Sequence, residues 1–407
     1  MTALVLVACA CLVVLAYWRR WSPPLLASVA IGLGVRVVVI WLAYGHTPHD
    51  VAVSFHQAGL LVLQRKDPIA ALPKYQWNFL PLSAYLFALE VKTGLPWQVA
   101  GKLLPVVCDV ATIALVGLLA RPAVRGNARL LYALCPVAIL VSAWHGQIEP
   151  IAIALGLSAL LLVRSRRDLL GGFVLGLAIA SKTWPILFIP GVLREVAWSR
   201  WWRVLAPIGV VLILLFGSIR FVLEDSLARA GRTILGYRSF FGTWGWTGVL
   251  HVLHIAGIGY SGSRIDQFQR LGTLVTVIVL VAVLFTFRRC PGPSITVALL
   301  LGFLAASAGF GIQYLLWPAA LLCAARRPTG QIYLLIAGAY AGFFYLYAVP
   351  LGSHLAGWPV NLLPLGSLPL IAAIVAAMPW AELRHRPAVP VEEAGAGIVS
   401  ALDHAAS

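Results

Sequence analysis

Residues 25–50 read LLASVAIGLGVRVVVIWLAYGHTPHD, an apolar run that ends in a short polar segment. About 20 apolar residues are enough for a helix to cross the hydrocarbon core of a bilayer. A helix also pairs its own backbone groups, which lipid cannot do. The run therefore predicts a membrane-spanning helix over residues 24–44. Asp50 follows shortly after its end, so we expect this carboxylate at the boundary between membrane and water.

The whole chain has the composition of an integral membrane protein. Of its 407 residues, 61% are hydrophobic and 11% are charged, whereas soluble domains are about 45–50% apolar and about 25% charged. We predict an all-α, polytopic transmembrane bundle. Applying the length rule along the chain gives about 13 spans, at 2–18, 24–44, 100–120, 130–145, 149–163, 169–182, 184–196, 204–221, 270–287, 294–310, 312–324, 330–349 and 360–379.

The chain is predicted to divide into three parts. Residues 1–23 form an extra N-terminal span rather than a cleaved signal peptide, because the apolar start lacks a basic region and a small-residue cleavage site. Residues 24–380 form the main transmembrane domain. Residues 381–407 form a cytoplasmic tail.

The formal charge of +16 is spread over short loops rather than gathered on one face. Cytoplasmic loops carry an excess of Lys and Arg, which places Arg19 and Arg20 inside and the Asp50 loop outside. With spans alternating from there, more than half of the 30 Lys and Arg residues fall inside. We therefore predict a multi-pass protein of the cytoplasmic membrane, surrounded by membrane lipids, and no binding of nucleic acid.

The outer segment between residues 45 and 102 is too polar for a span and too patterned for a simple loop. Apolar residues at helical spacing predict a helix over 51–64 that lies in the membrane interface. The apolar run 82–91 is too short to cross, so we predict a second interfacial or re-entrant helix there. All five lysines lie on the outer side or at outer helix ends: Lys66, Lys74, Lys92, Lys102 and Lys182. They either form a basic vestibule for a phosphate or reflect chance in an arginine-rich chain.

The six cysteines fall within or beside apolar runs and lack the paired spacing of a metal site or a disulfide framework. We interpret them as small core residues. The sequence predicts neither a metal site nor a cofactor.

Further motifs lie on the predicted outer side. Residues 145–150 read HGQIEP, 181–185 read SKTWP, and 309–314 read GFGIQY. The first two of these motifs resemble the GT-C glycosyltransferases, together with Asp50, the Lys66-Asp67-Pro68 stretch, the Tyr75 to Pro81-Leu82 stretch and the run from Lys102 to Asp109. The resemblance covers residues 24–325 and is greatest to the mannosyltransferase-like branch of actinobacterial cell-envelope enzymes.

The resemblance implies inverting transfer of a sugar from a polyprenyl-phosphate sugar to a glycolipid or polysaccharide acceptor outside the membrane. Asp50 corresponds to the family's general base, which takes the proton of the acceptor hydroxyl. Mannose is the expected sugar, and arabinofuranose is the alternative. The leaving phosphate needs cationic partners, for which the outer segments offer Lys182, Arg238 and Lys102. The other predicted vestibule residues are His49, Tyr75, His145, Gln147, Glu149, Gln313 and Tyr314.

Several of these residues also have a simpler, structural interpretation. Asp50 would cap the helix 51–64 through its side chain, and residues 145–147 would form a plain turn. Lys102 and Asp109, on one helix face, would form an intramembrane ion pair. Arg36, in the middle of a span, is expected to pair within the bundle or to extend toward the interface. The functional alternative is a transporter or flippase of lipid-linked precursors, although the sequence lacks the internal repeat typical of transporters.

Overall fold

The computed structural model describes residues 1–73, 76–236, 244–253, 263–348 and 358–384. Over these residues the chain forms helices and contains no β-strand, which confirms the predicted all-α class. Tyr75, Arg238 and the predicted tail from residue 385 onward lie outside the described residues.

The α-helices follow one another in the order α1 Thr2–Arg19, α2 Leu25–Leu42, α3 His56–Leu63, α4 Pro68–Ala71, α5 Pro81–Lys92, α6 Trp97–Leu119, α7 Arg125–Ala133, α8 Pro136–Ile139, α9 Glu149–Arg164, α10 Asp168–Ser181, α11 Ile189–Arg194, α12 Trp202–Phe221, α13 Leu227–Leu235, α14 Gly245–Val252, α15 Ser263–Phe287, α16 Gly292–Ala306, α17 Ala319–Ala325, α18 Pro328–Phe343 and α19 Trp358–Ala377. Short 3₁₀ turns separate some of them, at Pro122–Val124, Trp184–Phe188, Trp198–Arg200, Ile312–Leu316 and Trp380–Leu383. Three turns within the described ranges are π-helical, and we number them the first (Asp50–Phe55), second (Leu140–His145) and third (Phe344–Ala348) π turn.

The described residues contain seven helical segments that are long and apolar enough to cross a membrane: Thr2–Arg19, Leu25–Leu42, Trp97–Leu119, Trp198–Phe221, Arg270–Phe287, Pro328–Ala348 and Leu363–Leu383. An eighth results if α7 and the segment from α8 to the second π turn, which meet at 46°, count as one bent span. Pro136 begins that bend because its ring nitrogen cannot donate a helical hydrogen bond. The structure confirms several spans, but it does not confirm a count of about 13.

The centre of the bundle lies where α6 packs against α2, α7 and α9, and α9 packs against α10. Most residues of α9 are buried all round the helix. A helix that is apolar on every side is expected in the interior of a large protein or in a membrane. In this bundle α9 is enclosed by other helices. It begins at Glu149 and ends at Arg164, so these two residues lie at opposite ends of the bundle.

Loops that the charge pattern assigns to the inner side come together at one end of the bundle. Arg326, just after α17, donates a hydrogen bond of 2.8 Å to the carbonyl oxygen of Tyr17 in α1. Arg164 at the end of α9 lies 3.2 Å from Glu195, which follows α11. The other end of α9 begins at Glu149, so the predicted outer motifs share the opposite end.

The polar segment after α2 folds into helices that pack on one another. The first π turn and α3 together form the helix predicted over 51–64, and α5 is the helix predicted over 82–91. Phe55 stacks on Phe87 with ring centroids 4.6 Å apart. Gly59 lets α3 approach α5 closely, because a Cβ atom at this position would lie 2.9 Å from the backbone of Phe87. Both helices are confirmed, while their position in the membrane interface stays a prediction.

A buried ion pair joins α2 to α6. Arg36 Nε lies 2.7 Å from Asp109 Oδ2, and both side chains are fully buried. The hydroxyl groups of Tyr132 and Ser142 donate to the same carboxylate over 2.6 and 2.5 Å. Arg36 therefore pairs within the bundle, as expected. The predicted pair of Lys102 with Asp109 is wrong, because neighbouring helices bring closer partners to the carboxylate than its own helix does.

Candidate active site

The three π turns bring side chains from distant parts of the chain to one place. Asp50 begins the first π turn, His145 ends the second, and Tyr345 lies in the third. Nε2 of His145 lies 2.7 Å from Oδ1 of Asp50. The His145 ring meets the Tyr345 ring edge to face, with centroids 4.9 Å apart. Such turns re-aim side chains within a helix and are frequent at functional sites.

The first π turn is held in place by α6. Nε1 of Trp97 donates a hydrogen bond of 2.7 Å to the carbonyl oxygen of Val51. The side chain of Asp50 accepts from the N–H of the adjacent Val51 at 3.1 Å. It forms no hydrogen bond to the second or third N–H of the helix, as a cap would, and His49 before it is already helical. The capping interpretation of Asp50 is therefore not supported.

Both carboxylate oxygens of Asp50 are bound by the segment that follows the second π turn. Oδ1 contacts His145, and Oδ2 accepts a hydrogen bond from the side-chain amide of Gln147. Protein atoms surround the carboxylate, yet 38% of its side-chain surface stays accessible. Burial acts to raise the pKa of Asp50, but the charge of His145 and the hydrogen bonds from His145, Val51 and Gln147 outweigh burial and hold the pKa below its usual value. Asp50 is thus ionised at neutral pH and within reach of a ligand.

Gly146 allows His145 and Gln147 to face the same carboxylate. Its φ of 85° lies in the left-handed region, which glycine adopts without steric cost. The N–H groups of Gly146 and Gln147 both donate to the carbonyl oxygen of Val141, at 3.2 and 3.0 Å. A Cβ atom at this position would lie 2.9 Å from Cγ of Lys102. The segment 145–147 is therefore a turn that is built to present two side chains to Asp50.

Glu149, at the start of α9, forms a buried ion pair with Lys182, which follows α10. The carboxylate of Glu149 is fully buried, and 6% of the Lys182 side chain is exposed. Nζ of Lys182 also lies 5.0 Å from the ring centroid of Phe79 and 5.4 Å from that of Tyr314. The negative faces of aromatic rings attract a cation. Glu149 and the two aromatic rings thus hold the ammonium group of Lys182 in place.

A cavity of about 620 Å³ opens beside Lys182. Helices α10, α15 and α16 and the 3₁₀ turns Trp184–Phe188 and Ile312–Leu316 form its walls, and Gln313 and Tyr314 line it with Lys182. Trp184, Trp317 and Tyr314 stack in a column, with successive ring centroids 4.2 and 4.1 Å apart. The walls are mostly apolar, so the cavity suits a hydrocarbon chain whose polar end meets Lys182.

Four buried polar atoms at this place have no hydrogen-bond partner in the part of the chain that the structure describes. They are His145 Nδ1, Gln147 Oε1, Glu149 Oε2 and the hydroxyl oxygen of Tyr345. Buried polar groups are normally paired, and leaving one unpaired costs about 1–3 kcal/mol. A ligand with several hydroxyl groups would supply both donors and acceptors to these atoms. We name this set of residues the Asp50 cluster: Asp50, His145, Gln147, Glu149, Lys182 and Tyr345.

Of the other predicted site residues, Gln313 and Tyr314 line the cavity beside Lys182. Lys102 is buried beneath Gly146, and no described carboxylate or hydrogen-bond acceptor pairs with its ammonium group. His49 is exposed to solvent. Tyr75 and Arg238 fall outside the described residues, so their predicted roles stay predictions.

Tyr345 is the member of the cluster that sequence reasoning missed. It lies in residues 343–347, which read FFYLY, near the end of an apolar run. Tyrosine at such a position is typical of the membrane interface, and no motif marks it. Only the meeting of the second and third π turns shows that its ring contacts His145 of the cluster.

The profile of glycosyltransferase family 87 matches residues 77–310, which is more than half of the chain. The matched region includes His145, Gln147, Glu149 and Lys182, whereas Asp50 and Tyr345 lie outside it. No curated protein matches the chain. An enzyme family matches the region that carries most of the cluster, so the transporter alternative is set aside.

Proposed function

Because the chain belongs to glycosyltransferase family 87, we propose that this membrane enzyme transfers a sugar from a polyprenyl-phosphate sugar to a hydroxyl group of a glycolipid or polysaccharide. Its architecture is of the GT-C type, and the transferred sugar is mannose, with arabinofuranose as the alternative. The observation that carries the proposal is an ionised, accessible Asp50 beside buried polar atoms that have no partner among the described residues. An apolar cavity opens on the Lys182 side of the cluster.

Asp50 acts as the general base in this reaction. Its carboxylate accepts the proton of the acceptor hydroxyl while the acceptor oxygen forms a bond to the anomeric carbon of the sugar. The bond from that carbon to the phosphate oxygen breaks, and the electron pair leaves with the polyprenyl phosphate. Attack opposite to the leaving group inverts the anomeric centre. A base of this kind must lie about 2.6–3.2 Å from the hydroxyl oxygen, and the accessible face of Asp50 permits that approach.

His145 and Gln147 position the base. Each occupies one oxygen of Asp50, so the carboxylate has a fixed orientation before the acceptor arrives. Because His145 also lowers the pKa of Asp50, the carboxylate stays ionised over a wide pH range. Fixing the geometry in advance removes part of the entropic cost of the reaction.

The donor is bound on the side of Lys182. The apolar cavity receives the first prenyl units, and the phosphate lies at its mouth next to Lys182. A charged hydrogen bond from an ammonium group to a phosphate oxygen is stronger than a neutral one. Glu149 already balances the charge of Lys182, whereas no carboxylate of the described residues pairs with Lys102. Lys102 is therefore the second proposed cation for the phosphate. Arg238 is the third proposed cation.

We place the reaction at the outer face of the cytoplasmic membrane. The arginine-rich loops gather at the end of the bundle that holds Arg164 and Arg326, and an excess of basic residues favours the cytoplasmic side. The Asp50 cluster lies at the other end. A His49→Cys variant in intact cells is expected to react with a membrane-impermeant thiol reagent, and protection of this position until the cells are opened would place the site inside.

The proposed function is tested by supplying membranes that contain the chain with a panel of radiolabelled polyprenyl-phosphate sugars. We expect transfer from polyprenyl-phosphate mannose to a lipid or polysaccharide fraction, and no transfer in membranes that lack the chain. Transfer from the arabinofuranose donor alone would change the sugar but keep the mechanism. Transfer from a nucleotide sugar, without any lipid-linked donor, would overturn the proposal.

A further inference from the structure

The hydroxyl group of Tyr345 is buried and has no partner among the described residues. The side chain is 2% exposed, and its oxygen makes no hydrogen bond to the part of the chain that the structure describes. Two other buried tyrosines of the same helical segment differ in this respect. Tyr333 donates to the carbonyl oxygen of Leu315 over 2.8 Å, and Tyr340 donates to that of Leu363 over 2.8 Å. The absence of a partner at Tyr345 is therefore a property of its position and not of the helix.

Two aromatic rings fix the position of the phenol. Its ring centroid lies 5.2 Å from that of Trp144 and 4.9 Å from that of His145. The third π turn carries Tyr345, and the second π turn carries both of its neighbours. Because the rings hold the phenol from the side, its hydroxyl group is aimed rather than free to rotate away.

The hydroxyl group of Tyr345 is close enough to two carboxylates of the Asp50 cluster to feel their charges. The negative charges of both Asp50 and Glu149 act on it. Asp50 is the proposed base on the acceptor side, and Glu149 is paired with Lys182 on the donor side. In a displacement with inversion, the sugar lies between the acceptor oxygen and the leaving phosphate. A hydroxyl group that both carboxylates influence is thus within reach of a sugar bound between them.

From this placement, and resting on the function proposed above, we propose that Tyr345 binds the transferred sugar by a hydrogen bond between its phenolic hydroxyl and one sugar hydroxyl. The residue thereby determines which sugar the site accepts. A site that is built to pair with a hydroxyl group discriminates strongly against a sugar that lacks it, because the buried phenol is then left unpaired. The neighbouring unpaired atoms Gln147 Oε1 and Glu149 Oε2 extend the same recognition to further hydroxyl groups.

The variant Tyr345→Phe separates this role from a purely structural one. Phenylalanine keeps the ring contacts with Trp144 and His145 and removes an oxygen that has no hydrogen-bond partner among the described residues. Removing such an unpaired group is expected to leave the thermal stability unchanged or raised. We expect kcat/KM for the lipid-linked sugar donor to fall about tenfold or more, because a hydrogen bond to the substrate is lost.

The matched control is Tyr333→Phe in the same helix. This change leaves the carbonyl oxygen of Leu315 without its buried donor, so the melting temperature should fall while the activity per folded molecule stays at the parental value. The two variants therefore move stability and activity in different directions. A Tyr345→Phe enzyme with parental kcat/KM, or one whose activity falls only in proportion to a lowered melting temperature, would overturn the proposal.

Deoxy analogues of polyprenyl-phosphate mannose identify the sugar hydroxyl. The analogue that lacks the hydroxyl bound by Tyr345 should be a poor donor for the parental enzyme. Tyr345→Phe should not weaken the transfer of this analogue further, because the hydrogen bond between phenol and sugar hydroxyl is already lost. If Tyr345→Phe reduces the transfer of every analogue by the same factor, the phenol does not read a sugar hydroxyl and the proposal fails. An inactive Asp50→Asn enzyme beside a fully active Tyr345→Phe enzyme would refute the role of Tyr345 alone. Equal activity of Asp50→Asn and the parental chain would refute the proposed function.

Discussion

The Asp50 cluster and the network around Asp109 both place charged side chains inside the bundle, but they differ in how completely their hydrogen bonds are made. Asp109 is bound by Arg36, Tyr132 and Ser142. Among the polar side-chain atoms of these four residues, only Arg36 Nη2 lacks a partner in the described part of the chain. The Asp50 cluster, by contrast, has four buried polar atoms without one.

The difference separates a structural network from a binding site. A network whose groups are nearly all paired fixes the helices that contribute to it and has little left to offer a ligand. The Asp50 cluster keeps buried polar atoms that have no partner in the described part of the chain. Such atoms lower stability, which is expected where function and stability conflict. The two groups are also connected. Ser142 of the paired network belongs to the second π turn, so Asp109 helps to hold the turn that presents His145.

The largest effect should come from Asp50→Asn. Asparagine keeps the size of the side chain and one acceptor oxygen but cannot take the acceptor's proton, so the rate of sugar transfer should fall by about 10²–10⁴-fold. Membrane abundance should stay unchanged, as judged by immunoblotting. The control is Asp67→Asn in the same outer segment, where the side chain caps α4 through the N–H of Ile69 and asparagine caps equally well. Parental transfer by Asp50→Asn would remove Asp50 from the mechanism.

A second large effect, on stability rather than rate, is expected from Asp109→Ala. The change leaves the buried charge of Arg36 without its partner, which typically costs about 3–5 kcal/mol. Thermal unfolding of the detergent-solubilised protein should show the loss. The double variant Arg36→Met with Asp109→Leu should recover most of it, since it removes both charges. If Asp109→Ala unfolds at the parental temperature while transfer is abolished, Asp109 belongs to the chemistry and the comparison above is wrong.

Donor binding should weaken by a smaller factor in Lys182→Gln combined with Glu149→Gln. The double change removes the cation without leaving a buried carboxylate unpaired. Loss of a charged hydrogen bond to phosphate, worth about 1.5–3 kcal/mol, should raise the apparent donor KM about 10- to 150-fold. Lys102→Gln and Arg238→Gln are measured in the same assay. Lys66→Gln is the control, because Lys66 is an exposed lysine of the segment 45–102 that also contains Asp50. An unchanged donor KM in the double variant would move the phosphate elsewhere.

Gly146→Ala should reduce kcat about tenfold or more, because an error of about 1 Å in a positioned group is enough for such a loss. Alanine at a positive φ is strained, and its Cβ atom would meet Lys102 and the carbonyl oxygen of Gly101 at 2.9 and 3.1 Å. Gly94→Ala is the matched control. Its φ of 70° imposes the same backbone strain, but no atom lies within 4 Å of the added Cβ. Equal activity of the two variants would show that the turn does not need glycine for catalysis.

The smallest predicted effect is a shift of the pH dependence in His145→Gln. Transfer needs ionised Asp50, so activity falls as the pH drops through the pKa of that group. Burial raises the pKa of Asp50, and the charge and hydrogen bond of His145 counteract burial. Without the histidine the pKa rises, and the acidic limb of the kcat/KM profile should move to higher pH. An unmoved limb would show that His145 does not tune Asp50.

Much of the candidate site was predictable from local sequence. Asp50 follows a recognisable span, and the HGQIEP and SKTWP motifs mark residues that the structure brings to it. Interfaces between elements were less predictable. The expectation for Lys102 used spacing along one helix, whereas the carboxylate of Asp109 is bound by groups from neighbouring helices. Tyr345 was missed for the same reason, because its partners lie some 200 residues away in sequence.

The sequence by itself determined that this chain is a helical membrane protein and that a carboxylate, Asp50, follows its second apolar helix. Hydrophobic run length and loop charge are local properties, and the bilayer acts on them directly. Only the tertiary structure decided which polar groups are paired and which stay open. That choice depends on the rotation and tilt of packed helices and on three π turns that re-aim Asp50, His145 and Tyr345. These features arise from the packing of the whole bundle, and no short stretch of sequence encodes them.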